Sequence, residues 1–235
     1  MATILITGVG QRIGLHLANA LLDRGYHIIG TFRKDRPALA DLRKRGAMLY
    51  SCDFYQPEAL HDLLEQINSR YTKLRAIIHN ASDWLTDTGV EPDVLQKMMQ
   101  VHVHAPYHIN RALAPMLMNN DGGVTDIIHF SDYVASTGSA KHSAYAASKA
   151  ALENLTLSMA STWAPHIKVN AIAPALIKFN QSDSDTYRAK TLKKSLLPRE
   201  GGYKEVEESV NFLLQSNYIT GRVLPLDGGR HLVTK

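Results

Sequence analysis

The chain has 235 residues, 45% of them hydrophobic and 20% charged, enough to bury one large core and too apolar for disorder. Its formal net charge of +4 comes from scattered Lys and Arg rather than a basic stripe, which argues against nucleic acid and suits an anionic small molecule. The single cysteine, Cys52, excludes an internal disulfide, and the 11 histidines lack companions in metal-ligand order, so no metal is expected.

In chain order, short apolar runs at 3–7, 27–31, 47–51, 75–79, 126–131, 168–172 and 223–226 read as strands bounded by Gly, Pro or polar residues. Helical patterns lie between them at 13–24, 37–45, 57–70, as a pair across 92–119, and at 143–163 and 203–215. The strand runs are nearly continuously apolar, as when helices cover both faces of a parallel sheet. Alternating β and α elements with right-handed crossovers predict a single-domain α/β fold, a Rossmann-like doubly wound sheet of seven parallel strands. Ligands of such sheets bind at the carboxyl ends of the strands, where the strand order reverses. Segment 178–202, rich in Ser, Asp, Lys and Gly, is expected to be a lid over that crevice. No apolar run approaches the roughly 18 residues that span a bilayer, and the first strand starts at once, so a cytoplasmic protein without membrane partners is expected.

Three groups of residues carry chemistry. The first strand ends in Thr7-Gly8-Val9-Gly10-Gln11-Arg12-Ile13-Gly14, where glycines let backbone N–H groups and a helix N-terminus approach a pyrophosphate. The second strand ends in Thr31-Phe32-Arg33-Lys34, which offers cations to a 2′-phosphate, with Arg12 reaching the same region; two solvated cations are the alternative. NADPH is therefore favoured over NADH. Tyr145 and Lys149, four apart on one helix face, place an ammonium near a phenol, which would lower the tyrosine pKa and suit it to deliver a proton.

The turn at Thr7–Gly14, His79-Asn80-Ala81-Ser82, Tyr145-x-x-x-Lys149, Val169-Asn170-Ala171-Ile172-Ala173-Pro174 and the stretch from Thr220 to Gly229 resemble, in this order, the short-chain dehydrogenase/reductases over nearly the whole chain. The resemblance implies that Tyr145 is the proton donor, that Lys149 holds the nicotinamide ribose, and that Asp53, with Phe54, meets adenine. It places Asn80, Ala81 and Ser82 along the cofactor, together with Gly8, Gln11, Arg12, Ile13 and Pro174.

Three departures from the family pattern refine this. Arg12 replaces a glycine, Asp132 stands thirteen residues before Tyr145 where serine is usual, and His102 stands at the position of the helix asparagine. Arg12 and Asp132, with Trp84 two residues beyond Ser82, resemble the pteridine reductase branch, in which an aromatic stacks on the pterin. That branch implies NADPH-dependent reduction of a dihydropterin such as 7,8-dihydromonapterin, with side activity on dihydrofolate or dihydrobiopterin. Trp84, Asp132, Tyr145 and Ser82 would contact the substrate, and the family suggests a homotetramer. Several alternatives remain at this point: Ser131 taking the catalytic place by a slip of one residue, Trp84 capping the core, His102 as a packing residue, reduction of an oxoacyl thioester or sugar ketone, or a non-catalytic NADPH-binding regulator.

Overall fold

A computed structural model of the protein describes residues 2–88, 93–120 and 123–233. The apolar runs form β1 (Thr3–Thr7), β2 (His27–Phe32), β3 (Met48–Ser51), β4 (Ala76–His79), β5 (Thr125–Phe130), β6 (Ile167–Pro174) and β7 (Val223–Leu226). All six neighbouring pairs are parallel, in the order β3-β2-β1-β4-β5-β6-β7. The chain builds outward from β1 to β3 and then returns to β4 on the other side of β1. The reversal between β1 and β4 therefore opens a crevice at their carboxyl ends, after Thr7 and His79.

Period-two alternation divides the core between the faces. Leu5, Ile29, Ile77, Ile127 and Val169 pack on one side with residues of α3 (Pro57–Arg70), α5 (Ala105–Met118) and α7 (Ser143–Trp163). Ile4, Ile6, Ile28, Ile78, Ile128 and Ile172 pack on the other with α1 (Arg12–Asp23), α2 (Pro37–Lys44) and α9 (Tyr203–Gln215). Proline near the first turn of α2 and α3 fits because its missing N–H has no helical partner there.

The expected helix pair across 92–119 is one continuous rod with an interruption, and its start at Pro92 lies outside the described residues. It runs as α4 (Val94–Met99), a π-helical turn at Gln100–His104, and α5. Pro106 lacks the N–H that would bond the carbonyl of residue 102, so the α-ladder is broken within the wider turn. Shorter pieces that the sequence pattern did not predict are α6 (Val134–Thr137), α8 (Asp185–Leu192) within the expected lid, and a 3₁₀ turn at Arg230–Leu232. Ser184 caps α8 by accepting from the Tyr187 amide at 3.2 Å.

Candidate active site

The loop after β4 and the start of α7 are built as one unit. Asp87 receives hydrogen bonds from the Ser143 amide, the Ser143 hydroxyl (2.6 Å) and the Ala144 amide (3.3 Å), which satisfies donors at the N-terminus of α7. Thr86 Oγ1 and the Asp87 amide both donate to the carbonyl of Lys141. These bonds carry Trp84 to the mouth of the crevice, where its ring centroid lies 4.3 Å from that of Tyr145 and 4.1 Å from that of His142. Trp84 is 51% exposed, so it does not cap the core.

Tyr145 is 5% exposed, and its hydroxyl donates to Asp132 Oδ2 at 3.0 Å. Asp132 also accepts from the Val134 amide at 2.9 Å. The neighbouring Ser131 turns away: its amide still donates to Ile172 on β6, and its hydroxyl donates to Glu153 on α7 at 2.6 Å. Of the two candidates at this spacing, Asp132 is the one that faces the phenol. Lys149 is buried, with Nζ donating to the carbonyl of Phe130 at 2.8 Å and lying 5.5 Å from the centre of the Tyr145 ring.

The electrostatics correct one expectation. Burial and then the Asp132 carboxylate push the Tyr145 pKa well above its usual value, whereas the sequence argument had the lysine lowering it. Desolvation penalises the charged phenolate relative to the neutral phenol. Burial likewise raises Asp132, although the Val134 amide, Lys149, Tyr145 and Arg230 all oppose it, and it lowers Lys149 to about 8 against the pull of Asp132. Tyr145 is thus a phenol beside a carboxylate that holds its proton more readily than usual.

At the turn after β1, Gly8 has φ of +76°, and a Cβ there would lie 2.9 Å from Ala81 Cα. A Cβ on Gly14 would lie 2.1 Å from the Gly8 carbonyl oxygen, so only glycine lets α1 pack this closely on the turn. Asn80 supports the turn from β4, its side-chain amide donating to the carbonyls of Thr7 and Gly8, both at 3.0 Å. Ala81 donates its amide to Thr7 Oγ1 at 3.0 Å, Gln11 is the N-cap of α1, and Ile13 packs against the core. Pro174 ends β6 at the same edge. Arg12 adopts φ of +52°, the left-handed conformation glycine would hold there, and its guanidinium donates to Asn180 Oδ1 and, at 2.8 Å, to the carbonyl of Lys178. That clasp joins the turn to the first residues of segment 178–202.

The cations after β2 are placed differently from the simple expectation. Arg33 is not a free cation: it pairs with Asp83 Oδ2 at 2.8 Å, and the Tyr55 hydroxyl donates to the same oxygen at 3.0 Å. Lys34 is exposed beside it. Asp53 accepts from the Tyr55 amide at 3.1 Å, and Phe54 is buried in the core, so what Phe54 can offer a nucleotide is its backbone. The sequence reading missed Asp83, Asp87 and His142, whose roles depend on partners about fifty residues away. It also missed Arg230, whose guanidinium sits 4.5 Å from the centre of the Tyr133 ring. The described residues contain no cluster of three or more potential metal ligands, and no helix among them is long and apolar enough to cross a membrane.

A doubly wound sheet with a glycine turn at its reversal point and a Tyr-x-x-x-Lys helix beside it defines an oxidoreductase of the dinucleotide-dependent type. Residues 8–231 match the family model described as enoyl-(acyl carrier protein) reductase, and the chain belongs to the short-chain dehydrogenase/reductase family. Among its relatives it is 47% identical to the dihydromonapterin reductase of Klebsiella pneumoniae, over 97% of this chain and 96% of that one. It is 48% identical, with the same coverage, to the dihydromonapterin reductase of Citrobacter koseri. A solved structure titled FolM alternative dihydrofolate reductase 1 from Brucella canis, complexed with NADP, superposes with a TM-score of 0.88 over 100% of this chain and 95% of that one, at 22% identity. An aldohexose dehydrogenase from Thermoplasma acidophilum superposes at 0.86 over 99% and 95%, also at 22% identity, so the fold alone does not choose a substrate.

Proposed function

We propose that the protein is an NADPH-dependent dihydropterin reductase. The observation that carries this reading is the grouping of Tyr145, Asp132 and Trp84: a phenol held 3.0 Å from a carboxylate, with an exposed indole 4.3 Å from the phenol ring. Its support from relatives is the identity of 47–48% to dihydromonapterin reductases over nearly the full length of both chains.

The residues present fit the cofactor. The Gly8–Gly14 turn admits no Cβ at its closest points, presents the start of α1, and stands next to the cations Arg33 and Lys34. NADPH, when bound, supplies the hydride that goes to C6 of the pterin N5=C6 bond. The chain's own task is to hold the flat ring and deliver a proton to N5. Trp84 offers a face for stacking, worth about 0.5–1.5 kcal/mol beyond burial. Tyr145 holds the proton on its hydroxyl, since burial and Asp132 both disfavour the phenolate. Asp132, with a raised pKa, can take up a proton from solvent and return it to Tyr145 across their hydrogen bond. Lys149 orients the nicotinamide ribose in this reading. Segment 178–202, clasped by Arg12, covers the site and excludes water. A homo-oligomer built on the outer face of α7, where Leu157 is half exposed, belongs to the same reading.

The test is NADPH oxidation by the purified protein with dihydromonapterin, dihydrobiopterin, dihydrofolate and acetoacetyl thioester as separate substrates. Turnover of dihydropterins, lost in Tyr145→Phe, is expected. Turnover of the thioester alone would overturn the reading in favour of a carbonyl reductase, and no turnover of any substrate would favour a binding protein.

A further inference from the structure

Behind Tyr145 lies a hydrogen-bonded chain that the proton delivery described above does not use. His102, in the π-helical turn, is 1% exposed. Its Nε2 is 2.8 Å from Ser82 Oγ and 3.4 Å from the Asp83 amide nitrogen, and its Nδ1 is 2.8 Å from Ser148 Oγ. The imidazole therefore spans from the loop before Trp84 to the helix that bears Tyr145.

The donors around the ring select one tautomer. A backbone N–H can only donate, so Nε2 carries a lone pair toward Asp83. Ser148 uses its one hydroxyl hydrogen on the carbonyl of Tyr145, 2.7 Å away, so it accepts from His102, and Nδ1 bears the hydrogen. The Ser82 hydroxyl then donates to Nε2 and stands beside the phenol of Tyr145, whose own hydrogen goes to Asp132. Burial and then the Lys149 charge hold the His102 pKa well below its usual value, in keeping with a neutral ring.

This chain has no exit. It runs from the Ser82 hydroxyl through His102 and Ser148 to the backbone carbonyl of Tyr145, which cannot pass a proton on. A relay requires every member to receive one hydrogen and release another toward water; here Nε2 has none to give, and Ser148 is buried.

We propose that His102 is a positioning residue: as its Nδ1–H tautomer it seats the Ser82 hydroxyl and the loop leading to Trp84 against Tyr145, and it carries no proton during turnover. The inference rests on reading Tyr145 as the proton donor to a dihydropterin. It also accounts for a histidine where the family pattern leads one to expect the asparagine of a proton relay.

Nitrogen-15 NMR of the histidine-labelled protein, without substrate or cofactor, tests the tautomer directly. The expected result is a protonated Nδ1, a bare Nε2 and no titration of His102 between about pH 6 and pH 9. A protonated Nε2, or a titrating ring, overturns the proposal. Kinetics with NADPH and dihydromonapterin test the role. His102→Ala and Ser82→Ala are each expected to lower kcat about tenfold, with the double variant no slower than the slower single variant, because both remove one shared interaction. His102→Gln, whose amide offers one acceptor and one donor, should recover most of the loss, and the solvent isotope effect on kcat should equal that of the wild type in every variant. Multiplying losses, a glutamine variant no better than alanine, or an isotope effect that collapses in His102→Ala would each refute the positioning role. If the wild type turns over no dihydropterin, the proposed function fails by itself, while the NMR result still decides the tautomer.

Discussion

Replacing Asp132 by asparagine keeps the shape of the side chain and removes its charge, so it isolates the effect of that charge on Tyr145. The Tyr145 pKa is raised by burial first and by Asp132 second, and the two side chains meet at 3.0 Å. Two negative charges about 4 Å apart in a medium of effective dielectric about 20 repel by about 4 kcal/mol. Asp132 is partly exposed, and solvent screens a good part of that repulsion; what remains is lost in Asp132→Asn, which is therefore expected to lower the Tyr145 pKa. The asparagine amide can also turn to donate to the phenolate, which acts in the same direction. The assay is kcat as a function of pH with NADPH and a dihydropterin. The phenol is the acid, so activity falls as pH rises through its pKa, and in the variant this basic limb should move to lower pH. A basic limb that stays in place, or moves upward, would refute the assignment of Asp132 as the charge that sets Tyr145.

Trp84→Ala is expected to raise KM for a dihydropterin about three- to tenfold, as loss of one stacking face implies, and to leave KM for NADPH nearly unchanged; equal rises in both would refute a substrate contact. Replacing Arg33 and Lys34 together by alanine should raise KM for NADPH about tenfold while leaving KM for NADH little altered; equal changes would show that Arg33 serves only its ion pair with Asp83. His79 is fully buried, donates from Nε2 to Asn110 Oδ1 at 2.7 Å, and has a pKa lowered to about 4 by desolvation. Its folded-state pKa lies below the unfolded value of about 6.5, so its contribution to stability is complete above about pH 6.5 and is lost as pH falls toward 4, by about 3 kcal/mol. Denaturant unfolding at pH 7 and pH 4 should show the wild type losing about that much more than His79→Gln, and parallel losses would contradict it.

Much of the fold was legible because it rests on local pattern. Nearly continuous apolar runs of four to eight residues bounded by turn residues are too short for buried helices and read as strands covered on both faces, and the run boundaries were met within about two residues throughout. The helix bearing Tyr145 and Lys149 was met at both ends, since its i,i+4 spacing is a property of the helix itself. The π-helical turn was not legible, because Pro106 predicts that a ladder breaks without saying whether the helix ends or widens.

The site divides along the same line. The sequence by itself determined which residue types reach the crevice, since a turn after β1, a loop after β4 and a helix after β5 must all open at the carboxyl end of a parallel sheet. It could not choose between Ser131 and Asp132, because β5 stops at Phe130 and side-chain alternation is no guide beyond a strand's last rung. Tertiary structure decided that choice: the Ser131 amide remains bonded to β6, which turns its hydroxyl to Glu153 and leaves Asp132 to Tyr145. It likewise paired Arg33 with Asp83 fifty residues away, and it made burial rather than Lys149 the dominant influence on the phenol. Hydrogen-bond partners and desolvation depend on what surrounds a group in space, and sequence spacing encodes only what lies along the chain.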